Sequence, residues 1–415
     1  MKLALLPLNR NMYWQETFAA LRHPNYRLWF TGQLVSTVGT WMQITAQGYL
    51  VYELTGSPAY LGYVGFAAGL PSWLFTLYGG LIADRMSRRN MLVVTQTVMM
   101  ALAFLLAGLV FSGHIQPWQI VLMAFLLGVA NAFDAPSRQA FVVELVERKD
   151  LTNAIALNAT LFNSSAIFGP AAAGIAYALF GPGWCFTING LSFIAVIVAL
   201  LLMKIQPPVP AAQHRSAAAE LKEGLQYAIS HKTIAMLIAS MSVFSLFAMG
   251  IITLLPAWSV NVLGGDVKTN GLLLSARGAG ALIGALAIAS MSRYNVKGKL
   301  WTVGSFALPA VLLAFTITRW LPLSMLMLVG FGASQMIMIN TSNAIIQMSI
   351  PDHLRGRVMS IYMLAFFGFM PLGSLLTGSL AARIGEPTTV LLNSLVLLVY
   401  GGLVWLRQPV IRGLE

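Results

Sequence analysis

The sequence predicts an all-α integral membrane protein with twelve transmembrane helices, and three observations predict it. Hydrophobic residues make up 58% of the 415 residues, whereas charged residues make up only 9%. The mean hydropathy of +0.76 is too high for an ordinary soluble domain. Apolar segments of about 20 residues, each long enough to cross a hydrocarbon core of about 30 Å as a helix, recur along the whole chain. The chain is therefore expected to be a multi-pass membrane protein.

The predicted spans fall into two six-helix halves, 1–203 and 233–415, joined by a linker at 204–232. Their approximate ranges are 27–53, 57–83, 90–112, 118–143, 152–179, 184–203, 233–257, 269–291, 300–318, 321–346, 356–382 and 389–407. Weak internal similarity relates the halves, since MSRRN from Met86 recurs as MSRYN from Met291. The linker is Pro-rich and then places Leu221, Leu225 and Ile229 one turn apart, which predicts a helix on the inner membrane surface.

The distribution of basic residues predicts the topology. Of the 25 Lys and Arg residues, 20 fall on one side of the predicted spans; Lys268, Arg319 and Arg383 fall on the other, and Arg138 and Arg277 lie inside spans. By the positive-inside rule the first side is cytoplasmic, so both termini are expected there. The net charge of +12 is thus explained by topology rather than by a nucleic-acid partner.

A dense group of charges separates the second and third spans. The run from Gly79 to Asn90 has the spacing Gly-x3-Asp-Arg-x2-Arg-Arg, formed by Gly80, Asp84, Arg85, Arg88 and Arg89. Four charges among six residues between two apolar segments predict a tight cytoplasmic turn. The spacing resembles the signature between helices 2 and 3 of the major facilitator superfamily, although Ser87 replaces its usual glycine.

Polar residues inside two spans mark a candidate substrate pathway. The first span carries Gln33, Gln43 and Gln47 together with hydroxyl residues on one helical face, and the tenth span carries Gln335, Asn340, Asn343 and Gln347. Such a face requires hydrogen-bonding partners or water, so it is expected to border another helix or a central cavity. Hydrogen bonding between helices without any substrate is the alternative interpretation.

Charged residues within spans are the candidates for ion coupling and anion binding. Asp134 and Arg138 lie at i and i+4 of the fourth span, close enough to pair, with Asn131 one turn earlier as a candidate substrate contact. An acid that exchanges an Arg partner for a proton is a usable coupling site, and a permanent structural ion pair is the alternative. Arg277 has no acidic residue within one helical turn, so it either binds an anionic substrate or extends to the membrane surface. Glu53, at the outer end of the first span, is a further coupling candidate or a solvated residue.

The fifth span contains FGPAAAG, with Gly169, Pro170 and Gly174. Small residues at this spacing allow another helix to approach closely, and a proline bends the backbone, so helix packing alone is one explanation. The run also resembles the Gly-Pro-x3-Gly motif of helix 5 that is enriched in exporters of the superfamily. Pro371, Gly373 and Gly378 occupy the corresponding region of the second half.

Longer runs narrow the resemblance. FDAPSRQAFVVELVERKDLTNAIALN from Phe133, GWCFTINGLSF from Gly183 and PDHLRGRVMSIY from Pro351 resemble the drug:proton antiporter branch that includes the enterobactin exporter. This resemblance implies proton-coupled efflux of a siderophore, drug or metabolite across a bacterial inner membrane, with Asp134 and Arg138 as family positions. It also implies that Asp84 docks against the inner end of the eleventh span and holds a cytoplasmic gate shut. A lipid or lysophospholipid translocator of the same fold is the alternative.

Other functional classes lack their signatures. The sequence has no GxxxxGK[ST] phosphate loop, which favours an ion gradient over ATP as the energy source. None of the five histidines is spaced as a metal pair, so neither a metal nor another cofactor is expected and an enzyme is disfavoured. The expected partners are a small-molecule substrate, protons and the lipid bilayer, and the chain is expected to act as a monomer.

Overall fold

The computed structural model describes residues 17–83, 87–204, 217–291 and 296–408, and these are almost entirely helical. Six long helices form the first part of the chain. They are α1 (Pro24–Thr55), α2 (Pro58–Ala83), α3 (Arg88–Phe111), α4 (Pro117–Leu145), α5 (Leu151–Phe180) and α6 (Pro182–Leu202).

Eight helices follow in the second part. A short α7 (Ala217–Ser230) precedes α8 (Lys232–Thr253), which contains a π-helical turn at Ser245–Met249. The others are α9 (Leu255–Asn261), α10 (Val267–Met291), α11 (Lys297–Ile317), α12 (Leu321–Ser349), α13 (Asp352–Ile384) and α14 (Glu386–Arg407). The linker contains a helix, α7, whose Glu223 forms a 2.7 Å ion pair with Arg357 of α13; its position on the membrane surface stays a prediction.

Local sequence explains where the helices begin and end. A proline in the first turn starts α1, α4, α6, α12 and α14, because proline lacks an N–H that the first turn leaves unpaired. Gly56 ends α1 in the left-handed conformation at φ 60°, which a residue with a side chain rarely adopts. Ser87 caps α3 by accepting a hydrogen bond from the Asn90 N–H.

Within the described residues, nine helices are long and apolar enough to cross a membrane: α3, α4, α6, α8 and α10 to α14. The polar face of α1 lowers its hydropathy, although its 32 residues exceed the length that a span requires. The number of twelve spans and the cytoplasmic position of the termini stay predictions.

Two faces of the bundle can be distinguished by contacts between helix ends. At one face the Asn25 amide at the start of α1 donates to the Lys204 carbonyl just after α6, at 2.9 Å. We call this the terminal face, because the described chain begins and ends there. At the opposite face the Asn261 amide of α9 donates to the Glu386 carboxylate of α14, at 2.7 Å.

Glycines allow the first and second parts of the chain to approach closely along two helix pairs. Between α5 and α10, a Cβ added at Gly271 would lie 2.5 Å from the Pro170 carbonyl oxygen. Between α2 and α13, a Cβ added at Gly69 would lie 2.1 Å from the Pro371 ring. Side chains larger than hydrogen therefore cannot be placed at these positions without separating the helices.

Candidate functional site

Asp134 is the most completely enclosed acidic group in the described part of the chain. Asp134 lies on α4, and its side chain is only 1% exposed. The Thr95 hydroxyl and the Gln96 amide, both on α3, donate to its Oδ1 at 2.9 Å each. Two neutral donors at these distances stabilise the ionised carboxylate, because an ionised carboxylate can only accept hydrogen bonds.

Arg138 completes this group from α4 itself. Its Nε lies 3.5 Å from Asp134 Oδ2, which confirms the contact expected from the i, i+4 spacing. The contact is longer than a bidentate carboxylate pair would be, and the Arg138 side chain is 35% exposed. The ion pair can therefore open by a small rotation of Arg138, while the two hydrogen bonds from α3 remain in place.

An unpaired acceptor lies beside this carboxylate. Gln96 Oε1 is buried and has no hydrogen-bond partner in the described residues. Turning the Gln96 amide by about 180° exchanges its donor for this oxygen, since the two ends of an amide have nearly the same shape. The same side chain can thus donate to ionised Asp134 or accept from protonated Asp134.

Arg277 of α10 has a different environment. Its Nε donates to Gln335 Oε1 of α12 at 3.3 Å, and the Gln335 amide donates in turn to Met249 Sδ at 3.2 Å. Within the described ranges, Arg277 forms no ion pair with an acidic side chain. A guanidinium has five N–H groups, so one weak hydrogen bond leaves most of its capacity for a further partner.

The partners of Arg277 lie at the irregular part of α8. Met249 is the last residue of the π-helical turn, and the Ser245 hydroxyl at its start donates to the Phe366 carbonyl of α13. Inserted turns of this kind are frequent at functional sites. The turn thus connects the surroundings of Arg277 with α13, one of the helices that contacts the first part of the chain.

The predicted amide face of α1 is directed largely at neighbouring helices. The Asn189 amide of α6 donates to Gln43 Oε1 at 2.7 Å, and the Gln47 amide donates to the Ile120 carbonyl of α4 at 3.2 Å. Gln33 is also buried, with its Nε2 lacking a partner among the described residues. Gln43 and Gln47 therefore link helices, which corresponds to the alternative interpretation of this face.

The remaining amides keep part of their surface open. Asn131 of α4 and Asn340 and Asn343 of α12 are all partly exposed. The Gln347 amide donates to Asn343 Oδ1 at 2.5 Å, which leaves the Asn343 amide nitrogen available. These three residues keep polar atoms that a substrate can contact.

Glu53 lies at the opposite face, away from Asp134. The Tyr177 hydroxyl of α5 donates to Glu53 Oε2, and the Glu53 side chain is exposed. Tyr49, one turn earlier on α1, packs edge-on against Tyr177 with ring centroids 5.4 Å apart. An exposed carboxylate with one neutral partner is a weaker candidate for coupling than an enclosed one.

The charged turn is described only in part. Asp84 and Arg85 lie outside the described residues, and Gly80 is described only as part of α2. Arg88 forms a 2.7 Å ion pair with Glu144 of α4, and Arg89 donates to the Leu201 carbonyl of α6 at 2.8 Å. Both arginines therefore hold helix ends of the first half together at the terminal face.

The glycine–proline run of α5 packs against two helices. A Cβ added at Gly169 would lie 2.4 Å from Trp41 Cβ of α1, whereas one added at Gly174 would lie 3.0 Å from Lys268 Cα of α10. Pro170 lacks an N–H, so it leaves the Ala166 carbonyl without its usual helical partner. Gly278 of α10 approaches that carbonyl closely, since a Cβ added there would lie 2.6 Å from its oxygen. The run thus forms the contact between α5 and α10.

A family model described as transmembrane secretion effector, of the major facilitator (MFS) type, matches residues 15–413. The chain belongs to this family. It is accordingly a transporter rather than an enzyme, and a multi-pass protein of the cell membrane. The resemblance predicted from the motifs is confirmed.

Relatives include transporters and efflux pumps whose names give different substrates. The staphyloferrin A transporter of Staphylococcus aureus is 24% identical over 352 residues, which cover 84% of this chain and 88% of that protein. The multidrug efflux pump Tap of Mycolicibacterium fortuitum is 25% identical over 385 residues, covering 89% and 92%. The macrolide efflux protein A of Streptococcus pyogenes is 23% identical, covering 90% and 93%.

Solved structures show the same fold. The nucleoside transporter NupG matches with a TM-score of 0.74 at 12% identity, covering 92% of this chain and 98% of that chain. A bacterial homologue of the human lysosomal transporter Spinster, in an inward-facing and unoccupied conformation, matches with a TM-score of 0.73 at 11% identity, covering 92% and 97%. At these identities the similarity supports the fold alone.

Proposed function

We propose that the protein exports a small anionic or amphiphilic compound in exchange for protons, by alternating access between the halves 1–203 and 233–415. The observation that carries the proposal is the environment of Asp134, a 1% exposed carboxylate with a separable Arg138 contact and an amide that suits both of its protonation states.

In the proposed cycle, the anionic group of the substrate binds Arg277 in the second half and Asp134 holds the proton in the first half. Binding of the anion draws the halves together, which favours ionised Asp134 paired with Arg138 and releases the proton. Substrate and proton then favour different conformations of the protein. A proton gradient therefore drives the substrate across the membrane in the direction opposite to the protons. Asn131, Asn340 and Asn343 provide further polar contacts for the substrate.

The charged turn has a separate role in this proposal. Arg88 and Arg89 fix the ends of α3, α4 and α6 at the terminal face, so the turn is carried on a rigid support. We propose that Asp84 and Arg85, which precede this support in the chain, form a gate against the second half. The gate opens and closes as the halves rotate about the α5–α10 and α2–α13 contacts.

The proposal is tested in liposomes containing the purified full-length protein, with a pH gradient as the only driving force. The substrate panel contains a carboxylate siderophore, a macrolide and a lysophospholipid. We expect Asp134→Asn to abolish concentrative transport but to retain exchange of substrate down its own gradient, because asparagine mimics the protonated acid. Glu147→Gln is the control, since Glu147 is an exposed acid just beyond the end of the same helix and has its own lysine partner, Lys149.

The outcomes separate the alternatives. If Asp134→Asn still concentrates substrate, Asp134 is not the coupling residue, and the same test passes to Glu53→Gln. If both activities fall together with thermal stability, the pair with Arg138 is structural. Transport of the lysophospholipid alone would replace the exporter proposal with the lipid translocator.

A further inference from the structure

Three buried polar atoms near Asp134 have no hydrogen-bond partner among the described residues. They are Gln33 Nε2 on α1, Gln96 Oε1 on α3 and Ser137 Oγ on α4. All three residues are at most 4% exposed, so bulk solvent does not reach these atoms. Buried polar groups are nearly always hydrogen-bonded to protein or to ordered water. The three atoms therefore indicate a bound molecule that forms hydrogen bonds.

Two of the three atoms border the Asp134 carboxylate. The Gln96 amide donates to Asp134 Oδ1 at 2.9 Å, which places Oε1 of the same amide group next to the carboxylate. Ser137 follows Asp134 by three residues on α4, and residues three apart share a helix face. Gln96 Oε1 and Ser137 Oγ therefore lie on either side of the same acid.

The packing of α1 against α4 brings Gln33 to the level of Ser137. The Trp29 and Phe141 rings pack edge-on with their centroids 5.3 Å apart. The hydrogen bond from α1 to α4 described above joins later residues of α1 to earlier residues of α4, so the two helices run antiparallel. Gln33 follows Trp29 by four residues and Ser137 precedes Phe141 by four residues. Both therefore lie one turn from the ring pair in the same direction, each on the face that carries its ring.

The chemistry of the three atoms matches water. None of them bonds to another, so they are farther apart than a direct hydrogen bond. Together they offer an N–H donor, a carbonyl acceptor and a hydroxyl that donates and accepts. A water molecule donates two hydrogen bonds and accepts two, and a buried water typically makes about three. The match survives a turn of the Gln96 amide, because water accepts from the N–H that then replaces the oxygen.

We propose that one water molecule is bound between α1, α3 and α4 by Gln33, Gln96 and Ser137, and that it carries the proton to and from Asp134. This inference rests on the proposed function, in which Asp134 holds the proton. When the protonated acid ionises, its O–H bond breaks and the proton passes to the oxygen of the bound water. The hydronium ion that forms then gives a proton to solvent, which restores the neutral water. Uptake of a proton follows the same steps in reverse.

The other groups around Asp134 do not provide such a carrier. Arg138 is its only ion-pair partner among the described residues, and a guanidinium has no site that accepts a proton. The donors from α3 are a hydroxyl and an amide, both neutral, and α2 meets this part of α4 with the Phe75 ring. The Arg138 side chain is 35% exposed and Arg138 directly follows Ser137, so solvent begins within about one turn of the bound water.

The test follows the protonation of Asp134 itself and needs no substrate. Infrared absorbance of protonated carboxyl groups is recorded in purified full-length protein after a rapid pH jump, and the band that is lost in Asp134→Asn belongs to Asp134. We expect Gln33→Leu with Ser137→Ala to keep this band but to slow its appearance and disappearance at least about tenfold, because a positioned proton carrier contributes roughly 100-fold or more. The solvent isotope effect on the rate should rise in the same variant, since proton transfer then limits the rate.

Ser324→Ala is the matched control. Ser324 is also a buried serine whose hydroxyl has no described partner, but it lies on α12 in the second half. Its removal should leave the rate and the isotope effect at Asp134 unchanged. If the double variant is poorly folded, Ser137→Ala alone decides, because it removes a single oxygen atom.

The outcomes separate this inference from the proposed function. If Asp134→Asn loses no carboxyl band at any pH, Asp134 takes up no proton and both proposals fail. If the band responds to pH but the Gln33 and Ser137 variants exchange protons at the wild-type rate, or Ser324→Ala slows exchange equally, only the water relay fails. A crystallographic map of the wild type tests the site independently. We expect water density about 2.7–3.2 Å from Gln33 Nε2, Gln96 Oε1 and Ser137 Oγ, and a map without it would overturn the inference.

Discussion

Asp134 in the first half and Arg277 in the second are both charged residues within membrane helices, but their surroundings differ. Asp134 accepts two hydrogen bonds from α3 and contacts Arg138, so its charge is compensated without any ligand. Arg277 has one 3.3 Å contact to a neutral amide and no ion pair among the described residues. Placing a charge at mid-membrane costs roughly 2.5–3.5 kcal/mol on insertion scales.

The difference indicates a division of roles. A compensated acid can exchange partners internally, which is what proton binding and release require. An uncompensated guanidinium is stabilised by an anion from outside the protein, and the charged group of a substrate can supply that anion. We therefore propose that the proton binds in the first half and the substrate charge in the second, and the following experiments can contradict either proposal.

The largest effect is expected from removing the guanidinium. Arg277→Ala should weaken binding of an anionic substrate by about tenfold to 150-fold, since hydrogen bonds to charged groups contribute about 1.5–3 kcal/mol. Binding of a neutral substrate should change less than about threefold. Arg277→Lys should recover only part of the affinity, because an ammonium cannot form the bidentate contact. Equilibrium binding measures both substrates, and an equal loss for each would show that Arg277 is structural.

A smaller effect is expected from giving Arg277 an internal anion. Gln335→Glu places a carboxylate where the amide oxygen now lies 3.3 Å from Arg277 Nε. Anionic substrate should then bind about tenfold more weakly, because the new ion pair competes with it. Gln335→Leu is the control, since it removes the same hydrogen bond without adding charge. If both variants bind the anion equally well, the guanidinium is not the anion site.

Removing one donor from Asp134 should have an effect of about 1–1.5 kcal/mol on the free energy of unfolding. Thr95→Val deletes the hydroxyl that donates to Asp134 Oδ1, leaving part of the carboxylate unsatisfied. Thr97→Val is the matched control, because the Thr97 hydroxyl is exposed and donates to its own helix at the Val93 carbonyl. Chemical denaturation compares the two, and equal losses would show that the hydrogen bond to Asp134 contributes nothing.

The smallest effect is expected at Glu53. The acid is exposed and its only described partner is the Tyr177 hydroxyl, so Glu53→Gln can keep a hydrogen bond there. Proton-driven transport in liposomes should change by less than about twofold. If this variant lost proton coupling but kept substrate exchange, the proton site would be Glu53 at the opposite face and not Asp134.

Periodicity in the sequence was sufficient to predict the helices and the contact between Asp134 and Arg138, since both depend on spacing along one helix. The partners of these residues were not predictable in the same way. Thr95 and Gln96 precede Asp134 by about 40 positions, and Gln335 follows Arg277 by 58. Such contacts depend on the rotation and packing of separate helices, for which single-sequence periodicity carries no signal.

The same limit explains the amides of α1 and the turn in α8. The spacing of Gln43 and Gln47 correctly indicates one polar face, but only the positions of α4 and α6 decide that this face meets other helices. The π-helical turn at Ser245–Met249 has no proline or charge to mark it in the sequence. Its contacts with α12 and α13 depend on tertiary packing.

Proton release on substrate binding tests the central claim most directly. An electrode records the pH of a weakly buffered solution of purified full-length protein as an anionic substrate is added, at a series of starting pH values. The account predicts that wild-type protein and Glu147→Gln release protons on binding, whereas Asp134→Asn binds the substrate without releasing any. Proton release by Asp134→Asn equal to that of the wild type, or substrate binding by the wild type without proton release at any pH, would contradict it.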